Sequence, residues 1–162
     1  MKIFVAALAL VVALSSFATG QDKPPHGIEI AGVAVTTGVM SFDELSSLPA
    51  VEQNVRYQTS KGEERGRYTG PLLWSILQSR GIAELPGHNE QLKHSLVVEG
   101  RDGYRIVFSV GEIDPSFGNA PIQLATGRDG EPIANTEGYR LVVPGDKRGA
   151  RYVRDVVKIE VQ

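Results

Sequence analysis

The stretch "RLVVPGDKRGARYVRDVVKIEV" sets Arg140, Lys147, Arg148, Arg151 and Arg154 around one proline-glycine turn, in a chain whose formal net charge is -2. Guanidinium groups hold phosphate and other oxyanions through paired N–H donors, and Gly145 and Gly149 would let backbone N–H groups approach such a ligand closely. Two further turns carry cations on their shoulders, Arg101 beside Asp102-Gly103 and Arg128 beside Asp129-Gly130. If the three tips share one end of a sheet, their charges converge on an anion. Solvated tips offer the plainer account, since Asp102, Asp129, Asp146 and Asp155 lie beside these cations and surface ion pairs are common. The residues alone leave both open.

Other chemistries find little support. The chain has no cysteine, so no thiolate is available as nucleophile or soft metal ligand, and no disulfide can form. His26, His88 and His94 lie apart, and nothing in their spacing calls for a shared metal. A Gly-rich phosphate loop with its lysine, paired histidines on a helix and a Gly-x-Ser-x-Gly elbow are all missing. The acidic balance shows no nucleic-acid footprint.

The elements that must position the cations follow from patterning. With 162 residues, 41% hydrophobic and 22% charged, the chain suits one domain with a substantial core. Residues 1–20, with Lys2 ahead of an apolar run and small residues at Ala18-Thr19-Gly20, read as a secretory signal peptide cleaved before Gln21; an uncleaved anchor is the alternative. This reading predicts a periplasmic or secreted protein with no membrane span in the mature chain. Residues 21–27 form a polar tail, and 28–162 the folded domain.

Within that domain, "IEIAGVAV" and "VEQNVRYQTS" suit strands. Ser41 with Glu44 three residues later is a capping box opening a short helix that Pro49 ends. "KGEERGRYTG" reads as a charged turn leading into an edge strand. "PLLWSILQSRG" is the clearest helix, with Pro71 at its first position, Leu72, Leu73, Ile76 and Leu77 on one face and Gly81 at its end. "SLVVEG" and "YRIVFSV" flank the Asp102-Gly103 hairpin, and "GEIDPSFG" is a helical turn cut off by Pro115. "APIQLATG" and "EPIAN" flank the second Asp-Gly turn, while "YRLVV" and "ARYVRDVVKIEV" read as long strands. The sum is an α+β domain, mostly β, with two or three short helices.

The segments "RYTGPLLWSIL", "VVEGRDGYRIVFSV", "GRDGEPI" and "RLVVPGDKRGARYVRDVVKIEV", in that order, resemble the molybdopterin-binding domain of the sulfite-oxidase-like oxidoreductases, from about Ile28 to Val161. The resemblance implies that fold, with a molybdopterin cofactor. It matches Arg140 to the arginine before Val-Val-Pro-Gly and Arg151 to the Gly-Ala-Arg arginine, both facing the pterin and substrate pocket. It also sets Arg154 at the family's lysine and Tyr104 at the tyrosine beside the metal-bound oxo group. Arg56, Gln58, Arg101, Lys147 and Arg148 complete the cofactor-binding set.

The departures point another way. The position of the family's molybdenum-ligating cysteine falls at Gln58, with Thr59 and Ser60 beside it, and none supplies a thiolate. Where the family has His-Gly before its arginine, this chain has Glu137-Gly138, and Asp155 replaces the tryptophan after the lysine. The expected function is therefore an exported module that binds a pterin-type cofactor or another anionic small molecule without Cys-ligated molybdenum. One alternative is a small periplasmic molybdenum oxidoreductase with a non-Cys metal site. The other is a ligand-free interaction protein with a periplasmic partner. Arg101, Tyr104, Arg140 and Arg151 are expected to line one cavity.

Overall fold

The computed structural model describes residues 27–134 and 136–162. The signal peptide reading at 1–20, and the tail reading up to residue 26, lie outside the described residues. Among the described residues no helix is long and apolar enough to cross a membrane.

Two strands open the domain, β1 (Ile28–Gly32) and β2 (Gly38–Met40), followed by α1 (Phe42–Ser47). The capping box at α1 is formed: the Ser41 hydroxyl accepts the Glu44 N–H at 3.2 Å, and the Glu44 carboxylate accepts the Ser41 N–H at 2.7 Å. Replacing Ser41 by alanine should cost about 1 kcal/mol, read as a lower urea midpoint at unchanged slope. Past Pro49, β3 (Ala50–Thr59) and β4 (Gly62–Pro71) form a long antiparallel hairpin.

Helix α2 (Leu73–Gln78) starts later than its sequence suggests. Pro71 ends β4 opposite Ala50, a strand-end position where a missing N–H is tolerated, and Leu72 takes the N-cap position without a side-chain cap. Leu73, Ile76 and Leu77 are fully buried, as the apolar face requires, whereas Leu72 is half-buried. Next come β5 (Ser95–Gly100), β6 (Arg105–Ser109), α3 (Val110–Ile113), β7 (Gln123–Ala125), β8 (Gly127–Arg128), β9 (Glu131–Pro132), β10 (Arg140–Val142) and β11 (Val156–Val161). Both Asp-Gly turns are hairpins, joining β5 to β6 and β8 to β9. At the second, Asp129 and Gly130 both adopt positive φ, 54° and 94°, as such a tight turn demands.

The strands form three sheets. A five-stranded sheet has the order β2-β1-β11-β5-β6, with β1 and β11 parallel and the other pairs antiparallel. A four-stranded sheet runs β3-β4-β8-β9, and a two-stranded one pairs β10 with β7. Buried Gln123 ties β7 to the four-stranded sheet: its side-chain amide donates to the Val51 carbonyl at 3.0 Å and, more weakly, to those of Tyr68 and Gly70. Gly70 permits this approach, because a Cβ there would strike the Leu124 carbonyl. One continuous apolar core, from Ile28 and Ile30 through Leu73, Ile76 and Phe108 to Leu141 and Ile159, fills the space between.

Two expectations need correction. Strand β4 is interior, because β8 pairs with Tyr68 and Thr69 on the side away from β3. The long terminal strands are short: β10 has three residues and β11 begins only at Val156. Positive φ at Gly145 (92°) and Asp155 (45°) bends the chain between them, and a single 3-10 turn occupies Gly149–Arg151. Strand β10 pairs with β7, while β11 lies between β1 and β5, so the five cations do not surround one hairpin tip.

Candidate functional site

Strand alternation builds the floor of the site. Glu64, Gly66 and Tyr68 share one face of β4, and Tyr57 on β3 stands directly opposite Glu64. Gly66 leaves room above the Tyr68 ring, since a Cβ there would come within 3.1 Å of the Arg128 Nε and of the ring itself. Into that room two guanidiniums are laid, Arg128 at 5.5 Å and Arg140 at 5.8 Å from the ring centroid.

Arg140 is the buried member, with 4% of its side chain exposed. Its Nη2 donates to the Tyr57 hydroxyl at 2.6 Å and to Glu64 Oε2 at 3.3 Å, and its Nη1 lies 3.8 Å from Glu137 Oε2. The Arg140 Nε is buried without a partner among the described residues. Glu137 also reaches Arg128 at 3.8 Å, and Glu64 also accepts from Arg154 at 3.0 Å. Cation and carboxylate therefore alternate from Arg128 through Glu137, Arg140 and Glu64 to Arg154. With Lys61 these residues line a cleft of about 500 Å³, four cations against two carboxylates. A neighbouring groove of about 650 Å³ shares Arg154 and is lined by Gln58, Thr59, Ser60 and Arg148.

Burial opposes ionisation of Glu64, but the Tyr57 hydroxyl it accepts from and the guanidiniums of Arg140, Arg154 and Arg128 outweigh it, so its pKa falls below the ordinary glutamate value. A carboxyl whose folded pKa is depressed adds stability above its unfolded pKa, and that stability is lost as pH falls through the folded value. Denaturation midpoints followed from neutral to acid pH should therefore fall more steeply for the native chain than for E64Q.

Of the residues singled out in the sequence, the structure brings Arg128, Arg140 and Arg154 to the cleft, and Gln58, Arg148 and Arg154 to the groove. The others stand elsewhere. Arg56 is exposed and lies 3.8 Å from Glu63. Lys147 is exposed and contributes its carbonyl, which accepts the Gln58 N–H at 2.9 Å. Arg101 pairs with Asp155 at 2.6 Å, and the Tyr104 hydroxyl donates to the Ala150 carbonyl at 2.8 Å.

Arg151 is the clearest departure. It grips Asp146 through two bonds of 2.8 and 2.7 Å, donates to Glu112 at 3.0 Å and lies 5.1 Å from the Phe108 ring centroid. The hydrogen bonds to Asp146 raise its pKa, burial opposes them, and Glu112 adds to the rise. Of the four residues expected in one cavity, only Arg140 lines the cleft, because nearby carboxylates and a backbone carbonyl engage the other three. Arg128, the cation of the second Asp-Gly turn, joins Arg140 in the cleft, whereas Lys61 and Glu64 join it unforeseen, although the period-two spacing of Glu64, Gly66 and Tyr68 marks a common face.

The donors suit an anion and do not suit a thiolate-ligated metal. Guanidinium and ammonium groups offer N–H donors to phosphate oxygens. At the position that the resemblance assigns to the metal ligand stands exposed Gln58, a neutral amide in a chain without cysteine. Nothing there donates charge as sulfur does.

Neither a family model nor a curated protein sequence matches the chain. Among solved structures, the sulfane dehydrogenase SoxCD from Paracoccus pantotrophus matches with a TM-score of 0.67 at 18% sequence identity, over 84% of this chain. The match spans 38% of the SoxCD chain, and at this identity it shows a shared fold: an α+β domain, mostly sheet, with three short helices.

Proposed function

We propose that this chain is a binding module that holds an anionic small molecule, of the phosphate-bearing kind exemplified by a pterin cofactor, in the cleft around Arg140. The observation that carries this reading is the convergence of Lys61, Arg128, Arg140 and Arg154 on one cleft with only Glu64 and Glu137 opposing them. A buried guanidinium is costly unless its donors are met, and the Arg140 Nε has no partner among the described residues. The sequence resemblance to the molybdopterin-binding domain, on a fold shared with SoxCD, supports a pterin-type ligand, and the absence of cysteine separates this reading from Cys-ligated molybdenum chemistry. The leader-like segment at 1–20 supports a further proposal, that the module works in the periplasm.

Calorimetric titration with inorganic phosphate and with a pterin phosphate monoester, at low and high salt, tests the reading. Saturable binding that weakens as salt screens the charges is the expected result. Absence of binding by both compounds at low salt would sink it. A second reading rests on the groove lined by Gln58, Thr59 and Ser60, whose oxygens are the available metal donors beside Arg154. Stoichiometric molybdenum and sulfite turnover in chain produced by a host that makes molybdenum cofactor would favour that reading.

A further inference from the structure

Glu64 stands where a ligand would stand. Its Oε2 accepts from the Tyr57 hydroxyl at 2.9 Å and from Arg140 Nη2 at 3.3 Å, and its Oε1 accepts from Arg154 Nη2 at 3.0 Å. Two guanidiniums and a phenol thus close around one carboxylate, as they would around an oxyanion. Two of these donors are rigid. Tyr57 stacks on Tyr152 with ring centroids 3.9 Å apart, and buried Arg140 is held over Tyr68. The third lies at the surface, with 64% of the Arg154 side chain exposed. Arg128 and Lys61 line the same cleft, yet neither forms an ion pair with Glu64 within 4.0 Å.

We propose that Glu64 is a tethered internal anion that decides which ligands the cleft admits: a doubly charged tetrahedral oxyanion, free or as a phosphomonoester, displaces it, and a lone carboxylate does not. The proposal rests on the reading of the cleft as an anion site and adds its selectivity. An external carboxylate offers the same charge and the same two oxygens as Glu64. It must also compete with a group whose short tether supplies an effective concentration on the order of millimolar. A dianion brings a second charge and further oxygens, which can engage Arg128 and Lys61 where Glu64 does not. Glu137, the other carboxylate of the cleft, stays with Arg128 and Arg140 and keeps the buried guanidinium paired when Glu64 leaves.

The test titrates the full chain, E64Q and E64D with inorganic phosphate, phenyl phosphate and benzoate, at alkaline pH where both phosphates are dianions. Phenyl phosphate and benzoate share a ring and differ in the anion. The native chain should bind both phosphates and not benzoate. If Glu64 occupies the donors about nine-tenths of the time, E64Q should tighten phosphate about tenfold, since apparent affinity scales with the competent fraction. E64Q should also gain benzoate binding. E64D keeps the charge but withdraws it by one methylene from Arg154, so it should fall between, and it carries the test should E64Q lose its near-ultraviolet signature of a packed core.

With those gains in E64Q, tighter binding of phenyl phosphate than of phosphate identifies the monoester as the source and the reverse order the free ion, and the gate stands in either case. Native binding of phosphate with an unchanged preference over benzoate in both variants would overturn the gate while leaving the anion site intact. Failure of all three proteins to bind any phosphate would remove the anion site and the gate together.

Discussion

Arg140→Ala should destabilise the domain by about 3 kcal/mol and abolish phosphate binding, because breaking a buried ion pair leaves its partners desolvated and unmatched. The guanidinium is the hub of the site, serving Tyr57, Glu64 and Glu137 while covering one face of Tyr68. The lower end of the range for broken buried pairs applies, since Glu64 and Glu137 keep 25% and 46% of their side chains in solvent. Arg140→Lys should not restore binding. A single ammonium is a point charge and cannot reproduce a planar fork that meets a phenol and two carboxylates at once. Urea denaturation with phosphate calorimetry on both variants checks this. Full affinity in the lysine variant would show that net charge alone makes the site.

Leu73→Ala and Ile76→Ala should each cost about 2–5 kcal/mol, through lost burial and the cavity left behind. Both side chains are fully buried on the inner face of α2, within the one core that all three sheets share. His88→Ala is the control. Its ring is exposed in the connector before β5, and its side-chain contact is with neighbouring Asn89, so it should shift the midpoint little. Equal urea midpoints for the three variants would contradict the placement of α2 against the core. The burial pattern predicts a clear separation.

What was legible in the sequence is what short-range physics determines. The Ser41–Glu44 capping box, the buried stripe at Leu73, Ile76 and Leu77, and the two Asp-Gly hairpins each depend on residues a few positions apart. The stretch from Arg140 to Val161 was harder to read, because its apolar, β-branched composition suits strands while its partners lie far away in the chain. Strand β10 takes β7, β11 takes β1 and β5, and the bends at Gly145 and Asp155 separate the two. The site was half legible for the same reason. A cluster of arginines announces positive charge, but its disposition depends on the carboxylates the fold delivers. Glu64 reaches Arg140 from 76 residues away, whereas Asp146, five residues from Arg151, and Glu112 claim a guanidinium that the family resemblance had put in the pocket.

The parallel pairing of β1 with β11 has a bearing on how the molecule comes into being. Strand β11 occupies the middle of the five-stranded sheet, matching Glu29 with Lys158 on one side and Val161 with Leu96 on the other. Until residues 156–161 have emerged from the ribosome, β1 has only short β2 beside it, and β5 has only β6. The nascent chain can form its local hairpins but cannot close its largest sheet. Because the decisive contact joins the two ends of the domain, its contact order is high, and the loop entropy of bringing those ends together must be met before any central pairing repays it. The five-stranded sheet therefore closes late, after the local hairpins, once residues 156–161 are available to pair with β1 and β5 together.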